Sequence, residues 1–129
     1  MGGLGFYNCG PASGASQPRR HMQFIPYAAL HSALTGHVRL ASLEASVPID
    51  AAIAYARARQ GYSALPAQPF QLSVLPFPHA VCMVGGDVLA RTEDGAADLL
   101  HQCYRNCLAH VFGRGAGSAP GSHNVLLTP

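Results

Sequence analysis

One histidine, His21, stands in a setting that suits phosphoryl chemistry. It follows a loop of small residues, Cys9–Gln17, and lies two residues from a cation, Arg19, and from an amide, Gln23. Glycines in such a loop let backbone N–H groups converge on an anion, and serine and glutamine side chains add donors. The imidazole is therefore a candidate nucleophile for phosphoryl or nucleotidyl transfer. The same pattern is also typical of an ordinary turn followed by a surface histidine.

The elements around the loop have to position that histidine. The apolar residues before the loop predict one strand, and Met22 and Phe24 after it predict a second. Because side chains alternate along a strand, we expect Arg19, His21 and Gln23 on one face of the second strand. Met22 and Phe24 should then point the other way, towards a core.

Composition narrows the function classes. The chain has 129 residues, of which 49% are apolar and 11% are charged, so it is globular and suits one domain. The net charge of +2 comes from eight arginines without any lysine. These arginines are too dispersed for a nucleic-acid surface. No apolar run is long enough to span a membrane, and we expect a cytoplasmic protein.

The four cysteines, Cys9, Cys82, Cys103 and Cys107, lack paired zinc-type spacing. Cys103 and Cys107 are four residues apart in a helical pattern, with His110 three residues further on, which is a conceivable metal site. The same helix face is otherwise apolar, so we interpret both as core cysteines. We expect neither a metal site nor a disulfide.

The second half of the chain predicts further helices and strands. The apolar spacing predicts a helix over Val47–Gln60, and Thr92 is a candidate cap for a helix that ends near Phe112. A proline-punctuated link at 63–69 is the best boundary between two lobes. Leu72, Val74 and the run after His79 indicate two strand segments, with His79 a structural histidine at the bend. Residues 122–128 predict a last strand.

A resemblance to a known family adds to this interpretation. Residues 8–23 read N-x-G-P-x-S-G-A-S-Q-P-x-x-H-x-Q. This run resembles the active-site segment of the diadenosine tetraphosphate phosphorylases, also called ATP adenylyltransferases, of the histidine-triad superfamily. The resemblance implies that His21 is the nucleophile that becomes adenylylated, and that Gln23 replaces the third histidine of the simpler triad hydrolases. It also implies that the nucleotide phosphates are held at Asn8, Gly14, Ala15, Ser16 and Gln17.

Arg19 departs from the family pattern, because the family has its first triad histidine at this position. Arginine is always charged and offers donors only, so we expect it either to reach a phosphate or to loosen the orientation of His21. We favour loosening and expect Arg19→His to speed adenylylation.

Two later segments resemble the same family. Residues 122–128, S-H-N-V-L-L-T, resemble a segment in which the positions of Asn124, Val125 and Leu126 line the nucleotide site. Residues 75–81, L-P-F-P-H-A-V, resemble the opening of the family's C-terminal domain. The resemblance therefore divides the chain into 1–62, the end of the nucleotide-binding domain, and 63–129, part of the C-terminal domain. Compared with the proteins of that family, the chain resembles a truncated version.

The implied fold is α+β, an antiparallel sheet with flanking helices in an incomplete histidine-triad fold. The implied activity is phosphorolysis of dinucleoside tetraphosphates to ATP and ADP through an adenylyl-histidine on His21. The implied partners are a dinucleoside polyphosphate, ATP, ADP and inorganic phosphate, with a divalent cation such as Mg²⁺ accompanying the nucleotide. Two alternatives stay open. One is a non-catalytic nucleotide-binding fragment or a truncated remnant of such an enzyme. The weaker is a simple triad-type hydrolase, which Gln23 disfavours.

Overall fold

The computed structural model describes residues 2–35, 48–60, 67–113 and 121–128. These ranges contain helices and antiparallel strands, which confirms the α+β prediction. The strands are β1 (Gly3–Cys9), β2 (Met22–Pro26), β3 (Pro69–Phe70), β4 (Val81–Cys82) and β5 (His123–Leu127), and the helices are α1 (Tyr27–Thr35), α2 (Pro48–Gln60) and α3 (Glu93–Phe112). The chain divides into two compact units: a sheet unit, residues 1–51 with 120–129, and a helix unit, residues 52–119.

The sheet unit is a three-stranded antiparallel sheet in the order β2-β1-β5. β1 and β2 form a hairpin whose long connection contains a short 3-10 turn, Pro11–Ser13. Gly14 ends that turn with a φ of 83°, in the left-handed region that glycine adopts without strain. β5, from the far end of the chain, pairs with the free edge of β1. The first and last described segments of the protein therefore share one sheet.

The prediction that Met22 and Phe24 point to a core is wrong among the described residues. Their side chains are 59% and 67% exposed. The strand opposite them carries Gly3 and Gly5, and a Cβ on Gly3 would come within 2.5 Å of the Phe24 ring. Phe24 therefore lies flat on bare backbone instead of inserting between side chains, which leaves its outer surface open.

α1 is a helix that the sequence did not predict. Residues 27–46 showed no sustained apolar period, yet Tyr27–Thr35 is helical directly after β2. The Tyr27 amide donates to the Gly2 carbonyl at 3.0 Å, which ties the start of α1 to the start of the sheet. A contact far away in sequence thus fixes this helix, and no local pattern records such a contact.

The helix unit is built around α3. Thr92 caps the helix as predicted, since its hydroxyl accepts from the Gly95 amide at 3.2 Å, and the helix ends at Phe112. Leu99 and Cys103 of α3 pack with Ala67 in a buried cluster, and Cys82, Val84 and Val88 pack against it. The Asn106 side chain of α3 donates to the Ala67 carbonyl at 2.8 Å, which links the helix to the same cluster.

The strand segments of the helix unit differ from the prediction. β3 is Pro69–Phe70, before the expected Leu72 and Val74, while β4 follows His79 as predicted. Leu72 lies instead in the loop between them and is 1% exposed. Most of the boundary predicted at 63–69 falls outside the described residues. The assignment of 1–62 and 63–129 to two family domains stays a prediction. Within the described ranges, no helix has both the length and the apolar character required to cross a membrane.

Candidate functional site

Several of the polar residues that the sequence predicted as site residues lie on one face of the sheet. In the register, Phe6 lies opposite Gln23 on one side and Leu126 on the other, and Asn8 lies opposite Asn124. Directly opposite residues of antiparallel strands project to the same face. Extending the β1–β2 register by one residue places His21 opposite Asn8. We call this side of the sheet the His21 face.

The His21 face has a polar end and an apolar end. Asn8 and Asn124 form one row, which the extended register continues to His21 just before β2, and Gln23, Phe6 and Leu126 form the next row. Leu126 is 52% exposed, so the apolar side chains of the second row are open to a ligand. The sequence analysis missed Phe6, although its spacing of two residues from Asn8 was a usable signal.

The backbone fixes the orientation of His21. Its Nδ1 lies 3.2 Å from the carbonyl oxygen of Arg19. A carbonyl oxygen only accepts, so Nδ1 carries the proton and the neutral ring has its lone pair on Nε2. Among the described residues, this is the one side-chain hydrogen bond found for His21. When the ring is neutral, its unprotonated nitrogen is therefore Nε2, and the main chain of the preceding loop holds the half-buried ring.

The prediction that Arg19 shares the His21 face through strand alternation is wrong. β2 begins at Met22, and residues 17–19 form a bend. The Arg19 side chain turns back along the loop, where its Nε donates to Gln17 Oε1 at 3.1 Å. The feature of residue 19 that orients His21 is its carbonyl, which every amino acid supplies. The physical reason for expecting Arg19 to loosen His21 is thereby removed.

The loop uses several of its donors internally. The Ser13 hydroxyl lies 2.6 Å from the Cys9 carbonyl and 2.8 Å from the Gly10 carbonyl, so its proton is engaged. The amides of Gly14 and Ala15 donate to the carbonyls of Pro11 and Gly10 at 3.1 and 3.4 Å. In this conformation those groups hold the turn together and do not point at a common anion.

Ser16, Gln17 and Arg19 form the exposed outer part of the loop. Their side-chain donors are exposed to solvent and are therefore accessible to a phosphate group. The structure therefore divides the predicted phosphate-binding residues in two. Gly14 and Ala15 shape the loop, and these three present polar groups to solvent.

β5 contributes to both faces of the sheet. Asn124 and Leu126 lie on the His21 face, whereas Val125 lies opposite Tyr7 and projects to the other side. Only the backbone of Val125 is available to the His21 face. His123 also projects away from it, opposite Cys9, with its ring 6.2 Å from the Tyr7 ring in an edge-on arrangement.

Gly10 couples the loop to β5. It has a φ of 86° and a ψ of 158°, which side-chain-bearing residues rarely adopt. A Cβ built there would collide with the Ser122 hydroxyl, just before β5. The start of β5 thus sits against the bare backbone of the loop, so β5 and the loop hold each other in place.

The electrostatics of the sheet unit favour anions. Arg19 and Arg20 are exposed beside the loop, and the carboxylate among the described residues of this unit is Asp50 on α2. Asp50 acts on Tyr27: burial raises the pKa of that phenol, and the Asp50 charge raises it further. The described loop itself carries positive charge without an acidic neighbour in sequence.

The cysteines of the helix unit are packing residues. Cys103 is 5% exposed, as predicted, while Cys82 and Cys107 are half-buried. Burial raises the pKa of Cys82, and contacts with the Cys103 and Cys107 thiols raise it further. Burial also raises the pKa of Cys107. In the described parts of the chain, no three His, Cys, Asp or Glu residues are arranged to hold a metal ion.

His79 is a structural histidine, as predicted. Its Nδ1 donates to the Phe77 carbonyl at 2.7 Å, and its Nε2 accepts from the Leu72 amide at 2.7 Å. Both ring nitrogens are therefore used within the 71–79 loop. An open cavity of about 560 Å³ in this loop is lined by His79, Phe77 and their neighbours. Nothing in its lining resembles the polar row of the His21 face.

Residues 1–54 match the family model of the Ap4A (diadenosine tetraphosphate) phosphorylase N-terminal domain. The match includes the loop, His21 and Gln23, and confirms the resemblance drawn from the sequence over that part of the chain. Asn124 and its neighbours lie outside it. No curated protein matches the chain, and no solved structure does either, so the histidine-triad fold stays a prediction.

Proposed function

From the Ap4A phosphorylase-like character of residues 1–54, we propose that the protein is a nucleotidyltransferase acting on dinucleoside tetraphosphates. The observation that carries the proposal is the anchoring of His21. Its Nδ1 is committed to a backbone carbonyl, so the lone pair lies on Nε2, on the same face as Asn8, Gln23 and Asn124. A fixed nucleophilic nitrogen beside neutral amide donors is what covalent transfer of a phosphoryl group requires.

The proposed reaction has two displacements. His21 Nε2 attacks the α-phosphorus of the dinucleotide, the bond to the bridging oxygen breaks, and ATP leaves with that oxygen. The product on the protein is an adenylyl-histidine. An oxygen of inorganic phosphate then attacks the same phosphorus, the bond to Nε2 breaks, and ADP leaves. Throughout, the Arg19 carbonyl holds Nδ1–H and stabilises the positive charge that the ring acquires on attack.

The neighbouring side chains serve as donors to phosphoryl oxygens. Asn8, Gln23 and Asn124 donate from the sheet, and Ser16, Gln17 and Arg19 donate from the loop. Donors placed before the reaction lower the barrier without the cost of reorganising water. Gln23 has no ionisable proton and does not act as an acid.

A divalent cation belongs to the substrate in this proposal. The polar side chains of the His21 face are amides and an imidazole, and among the described residues it carries no carboxylate. Magnesium prefers carboxylate and phosphate oxygens. The polyphosphate itself would therefore supply the ligands for Mg²⁺.

The alternative is a nucleotide-binding chain without turnover. It is favoured by the internal engagement of the Ser13 hydroxyl and the Gly14 and Ala15 amides, which the loop must release before they bind an anion. The two functions share the binding site and differ in whether a covalent bond to His21 forms.

The decisive experiment is to look for that bond. The protein is incubated with Ap4A labelled at its α-phosphates, denatured in alkali and tested for acid-labile label. His21→Ala should abolish the label. His123→Ala is the matched control, because His123 has the same backbone anchor, to the Gly121 carbonyl at 2.8 Å, but lies on the opposite face of the same sheet.

Label lost in the His21 variant and kept in the His123 variant is the expected result. Label that survives His21→Ala, or that never forms although Ap4A binds, would overturn the transferase proposal. The second of these outcomes would leave the nucleotide-binding alternative in its place.

A further inference from the structure

Three of the four cysteines lie together in the helix unit, where β4 packs against α3. Cys103 belongs to the buried cluster of α3, and Cys82 of β4 packs against that cluster. Cys107 follows Cys103 by four residues on α3, which places it one helical turn further along the same face. We call Cys82, Cys103 and Cys107 the thiol cluster. All three are free thiols in this structure.

The backbone of Ala67 holds the two sides of the thiol cluster together. Its amide donates to the Met83 carbonyl at 3.3 Å, next to Cys82 in the chain. Its carbonyl accepts from the Asn106 side chain at 2.8 Å, next to Cys107 in the chain. Two hydrogen bonds to one residue therefore keep the end of β4 close to the second half of α3, and neither bond involves a sulfur atom.

A disulfide within the thiol cluster has to include Cys82. Cys103 and Cys107 lie on one helix, where residues four apart have Cβ atoms about 5–6 Å apart. A disulfide requires Cβ atoms about 3.5–4.5 Å apart, so these two cannot be joined without distorting α3. Cys82 comes from the neighbouring strand and is not bound by the helical spacing. It is therefore the common partner for either cysteine of α3.

Exposure and hydrogen bonding favour Cys107 as the partner of Cys82. Cys103 is 5% exposed, whereas Cys82 and Cys107 are both half-buried and accessible to a small solute. Burial raises the pKa of Cys107, while a hydrogen bond from the Cys82 thiol acts to lower that pKa. Of the two accessible thiols, Cys107 is therefore the one whose thiolate a neighbour stabilises. The thiolate is the form of cysteine that peroxides oxidise.

We infer that a hydroperoxide oxidises Cys107 and Cys82 to a disulfide that joins α3 to β4. The Cys107 thiolate attacks one oxygen of hydrogen peroxide, the O–O bond breaks, and hydroxide leaves, which gives a sulfenic acid. The Cys82 sulfur then attacks the Cys107 sulfur, the S–O bond breaks, and water leaves with the Cys82 proton. The two thiols lose two electrons and two protons in all, and the peroxide becomes two molecules of water. This site is independent of His21 and of the proposed function.

Hydrogen peroxide followed by trypsin tests the inference on the parent chain. The chain has no lysine, and cleavage after its arginines puts the three thiols on separate peptides: residues 60–91, 92–105 and 106–114. Because burial keeps the thiols protonated, the treatment uses excess peroxide over several hours, and the remaining thiols are then blocked in denaturant. Mass spectrometry should find peptides 60–91 and 106–114 joined, with the mass of two hydrogens lost, and separated again by dithiothreitol. The peptide of Cys103 should carry a blocked thiol.

Serine variants identify the pair of cysteines. Cys82→Ser and Cys107→Ser should each abolish the crosslink, whereas Cys103→Ser should retain it. Cys9→Ser is the matched control and should also retain it, because Cys9 is half-buried as well but lies in the sheet unit. Circular dichroism checks that each variant keeps its fold, and the peptide map of the parent chain stands without any variant.

Several outcomes would overturn the inference. One is a parent chain whose thiols all stay unoxidised, and another is a crosslink that joins Cys82 to Cys103 or joins two chains. Oxidation of Cys82 and Cys107 to separate sulfinic acids would also count against it, because the two sulfur atoms would then lie too far apart to react with each other.

Discussion

The two units of this protein each hold a histidine in the same backbone arrangement, with opposite consequences. His21 and His79 both place Nδ1 on the carbonyl of the residue two positions earlier, at 3.2 and 2.7 Å. In the helix unit, Nε2 of His79 is used by the Leu72 amide. In the sheet unit, no hydrogen bond to Nε2 of His21 is found among the described residues, and Nε2 is the atom that attacks phosphorus in the proposed reaction. Because Nδ1 is hydrogen-bonded in both rings, the structural histidine and the candidate nucleophile differ in whether Nε2 is hydrogen-bonded.

The two units also differ in how many apolar side chains they bury. The buried apolar residues among the described ranges, Ala56, Ala67, Phe70, Leu72, Leu99 and Cys103, all belong to the helix unit. In the sheet unit the buried positions described are Gly3 and Gly5, while Phe24 and Met22 are exposed. The helix unit therefore contributes hydrophobic stability, and the sheet unit has polar groups and open surface available for a ligand.

The sharpest test of this contrast is His21→Ala. In the proposed reaction the imidazole supplies the covalent bond, so phosphorolysis should fall below about 1% of the parent rate, since loss of an attacking group costs several orders of magnitude. The free energy of unfolding should change by less than about 1 kcal/mol, because the substitution removes one hydrogen bond from a half-buried ring. Steady-state assays with Ap4A and urea unfolding measure the two quantities. Residual turnover above that level would remove His21 as the nucleophile.

Ser16→Ala and Gln17→Ala should affect affinity without affecting stability. Each removes one or two hydrogen bonds to a charged acceptor, worth roughly 1.5–3 kcal/mol, or about ten- to a hundredfold in Kd. Both side chains are exposed, so thermal unfolding should be unchanged. Titration with ATP gives the affinities, and Ser13→Ala serves as the comparison, since its hydroxyl proton is already engaged in the loop. Unchanged affinity in both variants would mean that the loop is a plain turn.

His79→Ala should reverse the pattern of His21→Ala. It leaves the Leu72 amide without its acceptor, at a cost of about 1–3 kcal/mol, and should not alter labelling of His21. His101→Ala, at an exposed position of α3, is the control and should stay within about 0.5 kcal/mol of the parent. Urea unfolding measures both. Equal stability of the two variants would show that the His79 bridge does not support the helix unit.

Two glycines of the loop provide a smaller, matched comparison. Gly10→Ala forces a strained conformation and a collision with Ser122, so we expect a loss of about 1–3 kcal/mol with displacement of the start of β5. Gly14→Ala has the same sign of φ but open space around the new methyl group, and should cost about 1 kcal/mol. Thermal unfolding compares them. A Gly14 variant that is the less stable would contradict the coupling between the loop and β5.

The smallest effect concerns alkaline pH. Burial raises the folded-state pKa of Cys82 above its ordinary value of 9.0, so the folded state keeps a proton that the unfolded state loses. The stability that this difference contributes is therefore fully present below pH 9 and is lost as the pH rises above it. Because the thiol is only half-buried, solvent screening should keep the decline below about 1 kcal/mol per pH unit. Unfolding curves at pH 8 and pH 10 measure the decline, and Cys82→Ser should reduce it. An identical decline in the serine variant would place its cause elsewhere.

Local sequence determined the elements whose signals are local. The cap at Thr92 predicted α3, Pro48 and the apolar spacing after it predicted α2, and the run at 122–128 predicted β5. The loop motif around His21 also predicted the similarity of residues 1–54 to the Ap4A phosphorylase N-terminal domain, because glycines, serines and a histidine at fixed spacing can be recognised directly in the sequence.

Only the tertiary structure decided which groups meet. Pairing with β1 put Asn124 and Leu126 on the His21 face and turned Val125 away from it, which depends on register between segments a hundred residues apart. The engagement of Arg19 with Gln17, and of the Leu72 amide with His79, depends on how loops fold back on themselves. Sequence specifies which donors and acceptors exist, but their partners are set by distances that form only when the chain has folded.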